Sequence, residues 1–475
     1  MVPSPAALAS HRAYQPRRAA ESPLYRLVLD HLESLLVEAL EGSQPFAASC
    51  AENSLRAFLE CGIHRFGVAR FLCKECRTNL FVPYSCKRRM VCPSCDSKRA
   101  VMESERALGE LLPRVPYRQW VLVVPKRLRY FVHRNPALSG ELSRIFAGTI
   151  SRFYRSRTQA GRDSAPGQFH AVQRFGSKVN LHVHIHAVVS DGVFSLEDDR
   201  LRFSPAPEPS APELALLSRT LRRRILRRML KLKAVPEESA AEMLARPHGG
   251  FSINGEVRVE ADDRAALERL LRYVLRPAIS PKRLSYKPEK ELVRYWPTKG
   301  RPEDPTVFEW KPVEFLARLA RLIPPARRHL VRYHGALAPR SPLRAAVTRA
   351  AREEVSCEEI EAGVPVAGIR AVVAAGERAI SKAVNAAAKS WAVCLRRVFE
   401  IDPLLCPACA AEMVPIAIIT EDRELTRLLA HLGLPTEFPK TKPARGPPSP
   451  YGGEDSQIDP AIDACDGKDQ PPADE

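Results

Sequence analysis

Apolar and polar residues alternate strictly from Leu181 to His186, within the stretch Asn180-Leu181-His182-Val183-His184-Ile185-His186-Ala187-Val188-Val189. A period of two with β-branched apolar members predicts a half-buried strand. On such a strand Leu181, Val183 and Ile185 enter the core, while His182, His184 and His186 share the opposite face. Other stretches carry the helical period. Leu27, Leu32, Leu35, Leu36 and Leu40 predict a helix over 24–40 that stops at Gly42. Further helices are expected near 102–112, over 138–154 and over 314–323. Another should run from Ala261 to Arg276, where Asp262 or Asp263 can cap the start and Pro277 ends it. Strands are expected over 117–125 and 169–176, and a hairpin over 292–310. Strand, helix, strand, turn, strand is the order of an α+β domain with a central antiparallel sheet. Residues 341–434 read as mostly helical, residues 1–20 as a flexible arm, and the Pro-, Gly- and Asp-rich stretch from Pro439 as a disordered tail.

At 475 residues the chain is too long for one core. Its 73 Lys and Arg against 55 Asp and Glu leave a net charge of +18, which favours a polyanionic partner such as nucleic acid. No apolar run approaches the ~20 residues needed to span a bilayer, and the first eighteen residues lack the apolar core of a secretory signal. The chain is therefore expected to be cytoplasmic, with its cysteines reduced.

Among the twelve cysteines, Cys73-Lys74-Glu75-Cys76 and Cys92-Pro93-Ser94-Cys95 stand fifteen residues apart. Two such pairs can close a tetrahedral four-cysteine site, for which zinc in a structural role is the expected metal. Cys61, His64 and Cys86 are nearby alternatives, and Cys406-Pro407-Ala408-Cys409 is half of a further site whose other ligands are not evident. Lys87, Arg88 and Arg89 make the loop within the motif basic, as a nucleic-acid-binding module requires.

Residues 219–233 hold eight basic and no acidic residues, with Leu221, Ile225, Leu226, Met229 and Leu230 on one face. Arg223, Arg224, Arg227 and Arg228 on the other face are candidate DNA-backbone contacts, although a membrane-surface helix has the same pattern. Arg332, in the basic and aromatic run 327–335, is another candidate contact. Tyr273 lies off the leucine stripe of its helix, on the side of Arg269 and Arg276. Arginines there could polarise its hydroxyl toward phenolate beside a phosphate.

The ordered set of these segments resembles the rolling-circle transposases of bacterial insertion sequences, relatives of the Helitron enzymes in the HUH endonuclease superfamily. The resemblance runs over residues 45–435. It is carried by Ser85 to Cys95, Arg118-Gln119-Trp120, Gln173-Arg174-Phe175-Gly176-Ser177, Asn180 to Phe194, Arg272-Tyr273-Val274-Leu275-Arg276-Pro277, His329 to Gly335 and Cys406 to Cys409. It implies that His184 and His186 hold Mg²⁺ or Mn²⁺ with a third polar ligand, preferably Gln173, with His182 and Asp191 behind it. It implies that Tyr273 attacks the scissile phosphate to give a 5′-phosphotyrosine, and that Arg269, Arg272 and Arg276 steady that phosphate. Many members carry a second tyrosine one turn earlier; Arg269 stands there in this chain. The expected partners are single-stranded DNA and the DNA of the element's ends, with the host replication machinery as a further candidate and no membrane. The same resemblance implies location at the bacterial nucleoid.

The expected architecture is α+β throughout. An arm and helix (1–44) precede a zinc-binding recognition domain (45–112) and an HUH nuclease domain (113–285) interrupted by the basic-helix insertion (196–250). A basic DNA-contact region (286–345), a helical C-terminal region (346–438) and the tail (439–475) follow. A plasmid or phage replication initiator or relaxase would share the histidines and tyrosine. A non-catalytic zinc-dependent DNA-binding protein would bind DNA without cutting it. A zinc hydrolase would need a carboxylate base, and no HExxH helix is present.

Overall fold

The computed structural model describes residues 21–444, apart from 42–44, 136, 246–248, 298–306, 326 and 367–404. The expected tail beyond 444 and the arm before 21 lie outside the described residues. In chain order, the helices α1 (Pro23–Glu41) and α2 (Pro45–Glu60) precede the hairpin β1 (Val68–Cys73) and β2 (Asn79–Pro83). Next come α3 (Pro93–Arg106), β3 (Tyr117–Val123), α4 (Lys126–Arg134) and α5 (Ala137–Arg155). The strands β4 (Gly167–Phe175), β5 (Leu181–Ser190), β6 (Gly192–Glu197) and β7 (Arg200–Pro205) lead into α6 (Ala211–Lys231) and α7 (Glu237–Ala245). The short strands β8 (Ser252–Asn254) and β9 (Arg258–Val259) precede α8 (Arg264–Val274). A meander of β10 (Leu284–Lys287), β11 (Leu292–Tyr295) and β12 (Phe308–Trp310) is followed by α9 (Pro312–Leu322) and β13 (Val331–Gly335). The described chain closes with α10 (Arg344–Arg352), α11 (Cys357–Ala362), β14 (Val364–Pro365), β15 (Met413–Ile419) and α12 (Asp422–His431).

The expected α+β organisation is present. A central sheet in the order β13-β4-β5-β3-β8, with β9 also on β3, is antiparallel at every pairing. Period-two alternation decides its two faces. Val183, Ile185, Ala187 and Val189 of β5 join Leu142 and Phe146 of α5 and Leu221 and Ile225 of α6 in one core. The opposite face packs Phe169, Ala171 and Val188 against Leu267, Leu271 and Val274 of α8. Helix α8 starts and stops as its sequence requires: Asp263 accepts a hydrogen bond from Ala266 N at 2.7 Å, and Pro277 follows its end.

Four expectations change in the fold. The region 346–438, expected to be helical, contributes the strands β14 and β15, and β15 pairs with β1. The run 327–335 contributes the edge strand β13, paired to β4 from Val331↔Ala171 to Gly335↔Gly167, so it belongs to the central sheet. The helix expected near 102–112 begins at Pro93, directly on the second CxxC pair, and widens into a π-helical turn over Ala107–Leu111. Residues 439–444, expected in the tail, are described, and Lys442 N donates to Leu29 O at 3.1 Å. Among the described residues no helix is long and apolar enough to cross a membrane.

Candidate active site and cysteine clusters

The strand β5 carries its three histidines into the layer between the sheet and α8, all of them buried. Adjacent rings lie 4.9 Å apart (His182 and His184) and 4.8 Å apart (His184 and His186) between centroids. Alternate strand positions are about 6.6 Å apart, so His182 and His186 are separated by about 13 Å along the backbone. One ion bound at about 2.1 Å therefore reaches an adjacent pair, and not all three. His184 Nδ1 donates to the His182 carbonyl at 2.9 Å, which leaves the lone pair on Nε2. Burial pushes the His182 imidazole down to about 2, helped by His184 and Arg129, and pushes His186 well below its ordinary value. Neutral imidazoles are the form that binds a divalent ion.

Gln173 stands opposite His184 in the β4–β5 register. Its Nε2 donates to Val274 O at 2.8 Å, while its Oε1 is buried without a hydrogen-bond partner, as are His182 Nε2 and His186 Nε2. Buried polar atoms without a partner, as these are, cost stability unless something else occupies them. An oxygen and imidazole nitrogens are a donor set that suits a divalent cation such as Mg²⁺ or Mn²⁺. Gln119, which sequence reasoning passed over as a site residue, lies 2.9 Å from His186 Nδ1 through its side-chain amide. Its signal was its place on β3, on the same face as Val121, the register partner of His186.

Tyr273 comes from the last turn of α8 and meets His186 edge to face, with ring centroids 5.7 Å apart and planes at 85°. The Arg276 guanidinium sits 4.6 Å from the Tyr273 ring centroid and 5.6 Å from that of Phe175. Arg272 is exposed and pairs with Glu268 at 2.8 Å, and Arg269 is exposed on the same helix. Arg276, one of the three expected arginines, has its guanidinium over the tyrosine ring. Tyr286 and Tyr295 lie elsewhere: Tyr286 Oη bonds His31 and Asp30, and Tyr295 is buried in the α1–α2–α9 core.

Asp191, a reserve metal ligand in the sequence reading, is committed on the other side of the sheet. It takes both Nε and Nη2 of the buried Arg118 at 2.9 Å, Arg258 Nε at 2.9 Å and Tyr154 Oη at 2.8 Å. An aspartate already holding two guanidinium groups and a phenol has no open lone pair facing the histidines.

A cavity of about 330 Å³ opens beside Gln173 and Arg276, between α3 and the sheet. Arg89, Arg99, Arg106 and His329 line it, against the acidic Asp96 and Glu103. Asp96 is tied to Arg99 at 3.0 Å. Lys87 and Arg88 remain exposed at the module surface. The α6 arginines, by contrast, stand on the far side of the sheet. Arg224 donates to Thr149 at 2.7 Å and Arg228 pairs with Glu141 at 2.7 Å, while Arg223 and Arg227 are exposed. Arg332 is half-buried beside Gly140 of α5, again away from the histidine face.

The expected zinc set of Cys73, Cys76, Cys92 and Cys95 is not the set that the fold assembles. Cys92 and Cys95, at the start of α3, join Cys61 after α2 and Cys86. Their sulfurs are 3.6–3.7 Å apart along the closest pairs. Cys73 and Cys76, on the β1–β2 turn, instead meet Cys406 and Cys409. Hydrogen bonding to neighbouring thiols, Cys61 first, pushes Cys86 and Cys92 far up, with burial and the nearby sulfur charges acting in the same direction. A cation among them removes that penalty. The donor chemistry is that of structural zinc. Spacing could not reveal this exchange of partners, but the surplus cysteines at 61, 86, 406 and 409 were its signal.

Comparison with known proteins agrees with these features. Residues 167–344 match the family described as "Putative transposase", and residues 41–124 match the "Transposase zinc-binding domain". The chain is also similar to the transposase for insertion sequence element IS801 of Pseudomonas savastanoi pv. phaseolicola, with 24% identity over 298 residues. That alignment covers 61% of this chain and 70% of the relative. No solved structure matches the chain.

Proposed function

We propose, for a chain that belongs to the insertion-sequence transposases, that Tyr273 cuts and rejoins single-stranded DNA beside a divalent ion held by His184, His186 and Gln173. The observation that carries this reading is the 5.7 Å edge-to-face contact of Tyr273 with His186, which puts the ring of the candidate nucleophile beside one of the candidate metal ligands. Bound there, Mg²⁺ or Mn²⁺ would offset charge on the phosphate oxygens and orient the scissile bond. Tyr273 Oη forms a bond to phosphorus as the bond from phosphorus to the 3′ oxygen breaks. The products are a 5′-phosphotyrosine and a 3′-hydroxyl, and attack by another 3′-hydroxyl reverses the chemistry on a new strand. The ester conserves the bond energy, so rejoining needs no nucleotide cofactor.

Arg276 supports the same step. Its guanidinium lies over the Tyr273 ring and at the edge of the cavity, where a planar fork of donors suits a phosphate. The cavity between α3 and the sheet gives a single strand a basic approach from the zinc module to Gln173. Its small size suits an unpaired strand better than a duplex, and buried histidines exclude water from the reacting phosphate. Zinc in the cluster of Cys61, Cys86, Cys92 and Cys95 does structural work, since a closed four-cysteine site leaves no open position.

The test is incubation of the protein with single-stranded DNA from the element's ends and Mg²⁺ or Mn²⁺, read on a denaturing gel. A slow-migrating protein–DNA band is expected for the native chain and absent for Tyr273→Phe and His184→Ala. A band that survives Tyr273→Phe would move the nucleophile elsewhere. Tight binding without a band, for every cognate end, would favour a non-catalytic DNA-binding protein.

A further inference from the structure

The structure assigns a second zinc site to Cys73, Cys76, Cys406 and Cys409, and makes it a clasp that docks the C-terminal segment 405–442 onto the N-terminal module. It stands independently of the nuclease reading.

The four sulfurs lie within 4.8 Å of one another, with 3.5 Å between Cys73 and Cys409 and 3.4 Å from Cys76 to both Cys406 and Cys409. A tetrahedral ion with bonds of about 2.3 Å has sulfurs about 3.8 Å apart, so a small outward adjustment accommodates zinc. All four cysteines are free thiols.

The two halves share one design. Arg77 N donates to Cys73 O at 3.0 Å, and Ala410 N donates to Cys406 O at 2.9 Å. Cys73 N donates to Thr78 O at 2.9 Å, and Cys406 N donates to Ala411 O at 2.8 Å. Each turn then passes through a left-handed residue, Arg77 at φ 62° and Ala410 at φ 59°. Two CxxC turns with matching backbone bonds, each aiming two sulfurs inward, are the ligand halves of a zinc ribbon. The ribbon is completed across the sheet: β15 pairs with β1 from Cys73↔Met413 to Val68↔Ile419. These halves are 330 residues apart in sequence, from Cys76 to Cys406.

What the clasp holds is visible beyond β15. Leu425 and Leu429 of α12 pack on Val68. The Arg65 guanidinium lies 4.0 Å from the Phe438 ring centroid, and Lys442 Nζ pairs with Asp30 at 2.7 Å. The buried apolar cluster at the site is small: Phe71, Cys73, Leu80, Cys406 and Met413, with Ala69, Val82 and Ala411 partly buried against it. With so little apolar area there, the metal adds to the β1–β15 pairing as a tie at that end. Cys76 and Cys409 are exposed, whereas the other cluster is set in the core of α1, α2 and α9. Zinc should therefore leave the clasp first.

The experiment uses the full chain purified under reducing conditions, with zinc measured against protein by atomic spectrometry. Two zinc ions per chain are expected, falling to one in Cys406→Ser/Cys409→Ser and also to one in Cys73→Ser/Cys76→Ser. One ion in the native chain, or an unchanged content in the first variant, would overturn the assignment. Because a variant could misfold, the native chain is also titrated with a mercurial while alkylated cysteines are mapped by mass spectrometry. Cys73, Cys76, Cys406 and Cys409 should become reactive together, before Cys61, Cys86, Cys92 and Cys95; the reverse order would overturn it. Hydrogen exchange at 413–419 should rise when the first ion leaves. Unchanged exchange there would refute the docking role.

Discussion

His186 and Tyr273 meet edge to face at 5.7 Å, although they stand 87 positions apart in sequence. The contact joins the buried face of a strand to the last turn of a helix, and it brings the tyrosine ring of α8 to the histidine layer. Tyr273→Phe should abolish the covalent DNA adduct and leave single-strand affinity within about twofold, because an aromatic ring still fills the position. Gel analysis and fluorescence anisotropy on the same preparation check both parts. Equal loss of binding and cleavage would place the tyrosine in substrate binding instead.

The Arg118–Asp191 pair is buried on both sides, with 2% of each side chain exposed. Asp191→Ala leaves two guanidinium groups without their carboxylate and should cost about 3–5 kcal/mol. Adduct formation per folded molecule should persist, since Asp191 faces away from the histidines. Urea denaturation measures the first effect. A stable but inactive Asp191→Ala chain would return this residue to the metal site.

A second pair of imidazoles should add to the acid lability of the fold. His170 is buried on the α5 face, where Ser143 Oγ lies 3.0 Å from its Nδ1 and 2.9 Å from His334 Nε2. Burial pushes His170 well below its ordinary value and His334 down to about 4, with the Arg332 charge acting in the same direction on both. The unfolded chain therefore binds protons near pH 6.5 that the folded chain refuses. Stability should be full above about pH 6.5 and fall as the pH drops toward 4. His170→Gln should flatten that decline in a melting series. An equally steep fall in the variant would assign the acid lability to other groups.

Salt dependence should distinguish the two basic surfaces. Arg89 and Arg106 line the cavity beside Gln173, whereas Arg223 and Arg227 are exposed on α6, across the sheet. Each phosphate contact contributes about 0.7 to the slope of log affinity against log salt for a single strand. Arg106→Ala should reduce that slope by about this amount. Arg223→Ala with Arg227→Ala should leave it unchanged. The opposite pattern would move the strand's path to α6.

Local pattern alone carried much of this protein. The alternation of β5, the stripe and caps of α8, and the basic face of α6 are short-range consequences of side-chain period and turn chemistry, readable from consecutive residues. So was the family, since it rests on an ordered set of local motifs. Partnership between distant residues was not legible. Read from sequence alone, each CxxC pair is the same short motif, so nothing nearby tells Cys73 and Cys76 to meet Cys406 and Cys409 rather than Cys92 and Cys95. That choice is made by strand pairing, β1 with β15, and by the core that sets Cys92 and Cys95 beside Cys61 and the leucines of α2. Likewise Asp191 and Gln173 are both polar residues near the histidines in sequence, and only the pleat of the sheet, which sends them to opposite faces, makes one a free donor and the other a salt-bridge partner.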